Sequence, residues 1–182
     1  ICLIRAISTS SCVSSFLWWN SGLVYADYSC DLTLVVILFL ERVNLTSLLT
    51  SELKRKGTDV TIVSFGKIIK VAYEAADILA KEGISCEIID LRTVRPIDYA
   101  TVIESVKKTN RLVCLEEAWP LGSIATEITY KVQSEAFDYL DAPVKRITTT
   151  DTPAPYSPTL LKEFLPQVEE VLSAVKSVMY VK

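Results

Sequence analysis

Polar side chains that could do chemistry follow several of the predicted strands of this chain. Arg92 and Arg95 come after one strand, Glu116 and Glu117 after the next, and Asp151 after a later one. Adjacent glutamates can act as a general acid and a general base, and paired arginines can bind an anion. Because ligands gather at the carboxyl ends of strands in open α/β sheets, we expect these five residues to form a polar rim at that edge.

A structural role for this rim is the stronger interpretation. Neighbouring residues at the end of a strand point to opposite sides, so Glu116 and Glu117 are not expected to face one substrate. The arginine fork suits an ion pair with a strand-end carboxylate, such as that of Asp90 or Glu116. No Ser, Cys or Lys stands beside an identifiable activating base. We therefore assign no catalytic, cofactor-binding or metal-binding residue.

Residue content excludes several kinds of site. The chain has no histidine, which removes His-dependent triads and His metal ligands. Its five cysteines include no C-x-x-C pair, and Cys86 and Cys114 lie in apolar runs where a free cysteine acts as a small hydrophobe. The net charge of -3 argues against nucleic acid as a partner. Gly66 and Lys67 follow a strand, but Ile68 stands where a phosphate-binding loop needs a hydroxyl.

The composition of the chain changes after its first third. No lysine or proline precedes Lys54, and residues 1–52 are rich in Ser, Cys, Trp and aliphatic side chains. The apolar run at 32–40 is too short to span a membrane. The only methionine is Met179. We therefore expect a fragment, in which residues 1–52 are a lead-in of different origin and residues 53–182 form one domain.

Strands and helices alternate through this second part. Apolar and β-branched runs predict strands at 60–64, 86–91, 111–116 and 144–148. Helical spacing of apolar residues predicts helices at 68–79, from an N-cap at Asp98 to 106, at 124–136 and at 166–175. Prolines predict an extended loop at 152–158. This alternation predicts an α/β domain with a mostly parallel sheet and helices on both faces.

Six segments of the second part occur in the order and spacing of a known family: 57–64, 87–98, 105–113, 116–117, 137–144 and 151–156. They resemble the carboxyl-terminal domain of the β-subunit family of the pyruvate dehydrogenase first component, in the transketolase superfamily. The resemblance implies a three-layer α/β/α domain with a mixed, mostly parallel five-stranded sheet. It also implies an antiparallel edge strand just before Gly57, at roughly 48–56. Because the family-like sequence begins at about residue 53, we expect a strand at 53–56 that is shorter than in the family or frayed at its start.

The resemblance further implies an enzyme of two α and two β chains that decarboxylates pyruvate on thiamine diphosphate and Mg, and passes the acetyl group to a lipoyl arm. In that family, the cofactor is held by the α chain and by the preceding domain of the β chain. Residues 1–52 do not resemble that domain, so the chain alone is expected to bind no cofactor and to be inactive. The alternatives are a β subunit acting on branched-chain 2-oxo acids or acetoin, or a non-catalytic interaction module.

Partners follow from the same resemblance. They are the pyruvate dehydrogenase α subunit, a second β subunit and the peripheral subunit-binding domain of dihydrolipoyl acetyltransferase, with no nucleic acid or membrane. The acetyltransferase domain docks at the end of the final helix in this family, so the candidate contact residues are Tyr180, Val181 and Lys182. The expected location is the bacterial cytoplasm, or the mitochondrial matrix in a eukaryote.

Overall fold

A computed structural model of the chain describes residues 50–181, which contain one five-stranded sheet. Its strands are β1 (Glu52–Arg55), β2 (Val60–Ser64), β3 (Cys86–Asp90), β4 (Leu112–Leu115) and β5 (Lys145–Ile147). The helices are α1 (Ile69–Lys81), α2 (Tyr99–Thr109), α3 (Ile124–Ala136), α4 (Pro158–Phe164) and α5 (Val168–Met179). The strand order is β1-β3-β2-β4-β5, and only β1 runs antiparallel to its neighbour. The predicted mixed, mostly parallel sheet is confirmed.

Helices cover both faces of the sheet, which makes the domain three layers thick. On one face, α1 and α5 bury small and branched side chains such as Ala72, Leu79 and Val175 against the strands. On the other face, α2 and α3 do the same with residues that include Val102 and Ile128. Each of these four helices presents one apolar stripe to the sheet, as its sequence period predicts.

The start of α2 shows how local chemistry sets the bounds of an element. The side chain of Asp98 accepts a hydrogen bond from the N–H of Thr101 at 3.2 Å, which satisfies one of the free donors of the first turn. At the other end, Asn110 has a φ of 60°, a left-handed conformation that stops the helix. The predicted N-cap at Asp98 is confirmed.

The structure differs from the sequence prediction in two places. Residues 158–164 form the helix α4, whereas the prolines of this region predicted a loop as far as Pro158. Proline at the first helical position is compatible with a helix, because its missing N–H would have no partner there. The edge strand β1 lies at Glu52–Arg55, one residue earlier than expected, and its pairing with β3 contains an irregularity between Leu53 and Arg55.

The predicted division of the chain at residue 52 stays a prediction. Residues 1–49, which make up nearly all of the predicted lead-in, lie outside the described residues. Ser51 and Glu52 belong to the domain: the N–H of Ser51 donates to Asp98, and Glu52 is the first residue of β1.

A buried carboxylate on β3, that of Glu87, connects three parts of the domain. It accepts hydrogen bonds from the N–H of Gly57 in the β1–β2 connection (3.1 Å) and from the hydroxyl of Ser105 on α2 (2.6 Å). The ammonium of Lys108, also on α2, lies 2.5 Å from it. Burial alone raises the pKa of Glu87, but the bonds from Lys108, Ser105 and Gly57 outweigh burial and hold this pKa below its ordinary value.

The β1–β2 connection passes directly over the start of β3, and this needs a glycine. A Cβ atom at Gly57 would lie 2.3 Å from the carbonyl carbon of Cys86 and 2.3 Å from the nitrogen of Glu87. No side chain fits at that separation, so the close approach of the two backbones depends on glycine.

We predict that Glu87→Gln lowers the free energy of unfolding by about 2 kcal/mol near neutral pH, because it removes the charge from a buried hydrogen-bonded site. A carboxyl whose pKa is lower in the folded state stabilises the fold above its unfolded pKa, roughly 4.3, and this stabilisation is lost as the pH falls through the folded pKa. Urea unfolding should therefore show a smaller difference between wild type and variant at about pH 3.5 than at about pH 7.

Glu104→Gln is the matched control, because Glu104 is exposed on α2 and the substitution removes the same charge. This control should change stability by less than about 0.5 kcal/mol. An equal loss of stability in both variants, or a loss in Glu87→Gln that does not depend on pH, would contradict the role given to Glu87.

Candidate functional site

The carboxyl edge of the sheet carries the five residues of the predicted rim without bringing them to one centre. Arg92 and Arg95 follow β3, Glu116 and Glu117 follow β4, and Asp151 follows β5. Because β2 lies between β3 and β4, the arginine and glutamate pairs are separated by two strand spacings, about 10 Å. Glu116 is buried and the other four residues are exposed. The rim is therefore an edge of the fold and not a single constellation of reacting groups.

Arg92 is held by the antiparallel edge strand. Its guanidinium forms an ion pair with Glu52, and its backbone N–H donates to the carboxylate of Asp90 at 3.0 Å. The sequence pointed to the carboxylates of Asp90 or Glu116 as ion-pair partners, but β1 places Glu52 directly opposite Asp90, next to the guanidinium. Hydrogen bonds from Lys54 and Arg92 hold the pKa of Glu52 below its ordinary value.

Glu116 and Glu117 occupy opposite environments. Glu116 is 1% exposed, and its Oε2 accepts the N–H of Ala125 in the first turn of α3 at 3.1 Å. Its Oε1 has no hydrogen-bond partner among the described residues. Glu117 is exposed. The Glu116 carboxylate thus fixes the start of α3 against the end of β4, as an anion at a helix N-terminus can.

The loops that follow β4 and β5 are bonded to each other. The backbone N–H and the hydroxyl of Thr149 both donate to the carbonyl of Ala118 at 3.0 Å. The indole N–H of Trp119 donates to the carbonyl of Thr152 at 2.9 Å. From β5, the guanidinium of Arg146 donates to the carbonyl of Pro120 at 3.1 Å. These bonds hold both loops in one arrangement at the carboxyl edge.

The same loops expose a group of large apolar side chains that the sequence analysis did not identify. Leu121 is 90% exposed, Tyr156 is fully exposed, and α4 adds two exposed leucines. We call this set the apolar edge surface; it consists of Trp119, Leu121, Tyr156, Leu160 and Leu161. The sequence did contain a signal for this exposure. Trp119 and Leu121 flank Pro120, and Tyr156 follows Pro155, so these large apolar residues lie in turns rather than in a strand or helix that packs on the core.

The amino edge of the sheet, where the parallel strands begin, carries the last described residues of the chain. Tyr180 is 69% exposed and Val181 is 50% exposed, while Lys182 lies outside the described residues. The hydroxyl of Tyr180 lies 3.5 Å from the carbonyl of Asp141, whose half-exposed carboxylate pairs with Arg111 at 3.2 Å. We call Asp141, Tyr180 and Val181 the C-terminal surface. It combines an exposed ring with an ion-paired carboxylate.

The remaining candidates for chemistry take structural positions. Cys86 and Cys114 are free and buried, and burial raises the pKa of their thiols to about 11 and about 12. Gly66 begins a short 3-10 turn before α1, with Lys67 exposed. Among residues 50–181, no group of three His, Cys, Asp or Glu side chains could hold a metal ion. None of the helices in this part of the chain is long and apolar enough to cross a bilayer.

Comparison with known proteins places this domain in a family. The family described as "Transketolase, C-terminal domain" matches residues 50–171. The chain is 48% identical over 130 residues to subunit beta-2 of the mitochondrial pyruvate dehydrogenase E1 component of Oryza sativa subsp. japonica, which covers 71% of this chain and 35% of that protein. It is 53% identical over 130 residues to the corresponding beta subunit of Rhizobium meliloti, covering 71% of this chain and 28% of that protein. The chain therefore spans roughly a third of these relatives, and matches their C-terminal part.

A solved structure supports the same fold. A split-gene transketolase, described as an inactive beta4 tetramer, superimposes with a TM-score of 0.66 at 26% identity. The match covers 74% of this chain and 44% of that one.

We predict that Glu116→Ala lowers the free energy of unfolding by about 1–2 kcal/mol, because the N–H of Ala125 loses its acceptor. Glu116→Gln should recover most of this loss, since the amide keeps an acceptor oxygen. Glu117→Ala and Glu117→Gln are the controls, and both should stay within about 0.5 kcal/mol of wild type. Urea unfolding of the wild type and the four variants measures the free energy of unfolding of each. Equal effects at the two positions would show that Glu116 does not anchor α3.

Proposed function

Because the chain belongs to the transketolase C-terminal domain family, we propose that residues 53–182 act as the C-terminal domain of a pyruvate dehydrogenase β subunit. The observation that carries the proposal is 48–53% identity to such subunits over 130 residues. The names of these relatives favour pyruvate over branched-chain 2-oxo acids or acetoin. In this role the domain supplies surfaces for assembly and docking to an enzyme that decarboxylates pyruvate oxidatively and transfers the acetyl group to lipoyl groups.

The complete enzyme would use thiamine diphosphate and Mg²⁺, and the described residues do not fit either group. Residues 50–181 contain no cluster of metal-ligating side chains. At the rim, Arg92 is engaged by Glu52, and Glu116 is buried and offers only carboxyl oxygens, which do not suit a diphosphate. We therefore assign the cofactor to parts of the enzyme outside these residues, and assign no catalytic residue to this domain.

Three protein partners belong to this proposal: the pyruvate dehydrogenase α subunit, a second β subunit and the peripheral subunit-binding domain of dihydrolipoyl acetyltransferase. We place the last of these at the C-terminal surface, with Lys182 included. The exposed ring of Tyr180 offers contact area, and the half-exposed carboxylate of Asp141 can accept from a basic docking domain. The compartment would be the bacterial cytoplasm or, in a eukaryote, the mitochondrial matrix.

A domain exchange tests the assignment. We join the part of the Rhizobium meliloti β subunit that precedes its matched region to residues 53–182 of this chain, and combine this chimera with the R. meliloti α subunit. We expect the chimera to co-purify with the α subunit and to decarboxylate pyruvate in a dye-reduction assay, because a C-terminal domain that is 53% identical should replace the native one.

The comparison protein is the 182-residue chain with the same α subunit. We expect this chain to bind no thiamine diphosphate in isothermal titration with Mg²⁺ present, and to show no decarboxylation. A folded chimera that neither binds the α subunit nor turns over pyruvate would overturn the assignment. Cofactor binding by the 182-residue chain would overturn the placement of the cofactor.

Removal of residues 180–182 from the chimera tests the docking surface. We expect affinity for the isolated peripheral subunit-binding domain to fall by roughly tenfold, since the exposed ring of Tyr180 is lost. Assembly with the α subunit should be unchanged. Tyr130→Ala, which removes an exposed ring from α3, serves as the control. Isothermal titration gives the affinities, and an unchanged value after truncation contradicts the assignment of this surface.

A further inference from the structure

The side chain of Arg111, at the junction of α2 and β4, links three segments at the amino edge. Its Nε donates to the carbonyl of Val178 at 3.2 Å, and one terminal nitrogen lies 3.2 Å from the carboxylate of Asp141. The other terminal nitrogen lies 3.5 Å from the carbonyl of Asp59, in the β1–β2 connection. A guanidinium can serve several acceptors at once, because its N–H groups form a fixed planar fork. Arg111 is therefore a shared anchor for these three segments.

The bond to Val178 completes the end of α5. The last carbonyls of a helix have no partner within it. Those of Lys176 and Ser177 accept the N–H groups of the two residues that follow the helix, and that of Val178 accepts from Arg111. Tyr180 has a φ of 55°, a left-handed conformation that is unfavourable for a residue with a Cβ atom unless its surroundings hold it. Arg111 thus helps to hold the turn that presents this exposed ring.

Asp141 is held from the same junction. Its N–H donates to the carbonyl of Asn110 at 2.9 Å, and its carboxylate pairs with Arg111, the next residue. The hydroxyl of Tyr180 lies 3.5 Å from the carbonyl of Asp141. Two neighbouring residues therefore fix both parts of the C-terminal surface relative to each other. The side chain of Arg111 is only 23% exposed, so it supports this surface from the inside and is not one of its contact residues.

We propose that Arg111 is the positioning residue of the C-terminal surface: it sets the arrangement in which Tyr180 meets the peripheral subunit-binding domain. This role rests on the proposed function, which places that partner here. A ring that is already held in its binding position loses less freedom when the partner arrives, so binding is tighter. Loss of the bond to Val178 releases the end of α5 and with it Tyr180, and lowers the affinity although every contact residue is still present.

The substitution Arg111→Lys in the chimera tests this role. Lysine keeps the charge that pairs with Asp141, but its single nitrogen cannot also donate to Val178 from the position of Nε. Isothermal titration should show that the affinity for the isolated peripheral subunit-binding domain falls roughly fivefold, with assembly with the α subunit unchanged. In the chimera that lacks residues 180–182, the same substitution should change the affinity by less than about 1.5-fold, because the ring through which Arg111 acts is already gone.

Arg146→Lys is the matched control. Arg146 also donates to two groups, the carbonyl of Pro120 and the hydroxyl of Thr126, but these lie toward the carboxyl edge. This variant should bind the peripheral subunit-binding domain with unchanged affinity. Hydrogen exchange in the 182-residue chain, followed by mass spectrometry of its last peptide, measures positioning without a partner. The amides of residues 180–181 should exchange faster in Arg111→Lys than in wild type, and at the wild-type rate in the control.

Four results would overturn the role of Arg111. An unchanged affinity in Arg111→Lys, when removal of residues 180–182 does lower the affinity, would count against this role alone and leave the docking surface in place. An equal fall in the intact and truncated chimeras would show that Arg111 acts elsewhere. Unchanged exchange of the terminal amides would show that the end of α5 does not depend on Arg111. An unchanged affinity after truncation itself would contradict the docking surface of the proposed function, and the role of Arg111 in docking would fall with it.

Discussion

The buried carboxylate of Glu87, beneath the β1–β2 connection, is the interaction that fixes the direction of β1 and the place where the chain enters the domain. The connection crosses the start of β3, with Gly57 in close contact with that backbone, and lets β1 run opposite to all the other strands. Without this reversal, residue 50 would lie at the amino edge. Glu87 binds the connection through Gly57 and binds α2 through Ser105 and Lys108. A buried charge is tolerated when it is paired and hydrogen-bonded in this way.

Helices cover the two faces of the sheet, so its edges are the places left for partners. At the carboxyl edge the loops after β4 and β5 are joined to each other and expose apolar side chains. At the amino edge the described chain ends with the exposed ring of Tyr180, whose hydroxyl lies near the backbone carbonyl of Asp141. The carboxyl edge therefore exposes mainly apolar side chains, whereas the amino edge exposes an aromatic ring near an ion pair. This separation follows from the topology. The strand β1 begins at the carboxyl edge, whereas α5 ends at the amino edge.

The strands, the helices and the α2 cap could be predicted because their signals are local. Runs of branched residues placed β2 at its observed bounds and the other parallel strands to within one residue, and Asp98 was the expected cap. The helix α4 was missed because its first residue is a proline, which is read as a loop signal unless it occupies the first turn. The partner of Arg92 was also missed. Glu52 lies forty residues earlier in sequence, and only the pairing of β1 with β3 brings the two together.

The sequence by itself determined the class of the fold, the order of its elements and the family, because hydrophobic period, caps and motif spacing are properties of short segments. It also separated Glu116 from Glu117, since alternation along a strand sends neighbours to opposite sides. Only the tertiary structure decided that the exposed apolar residues of two loops lie at one edge of the sheet, the edge where the chain enters the domain. The physical reason is that loop position depends on strand order and direction, which are set by long-range pairing and packing that no single segment encodes.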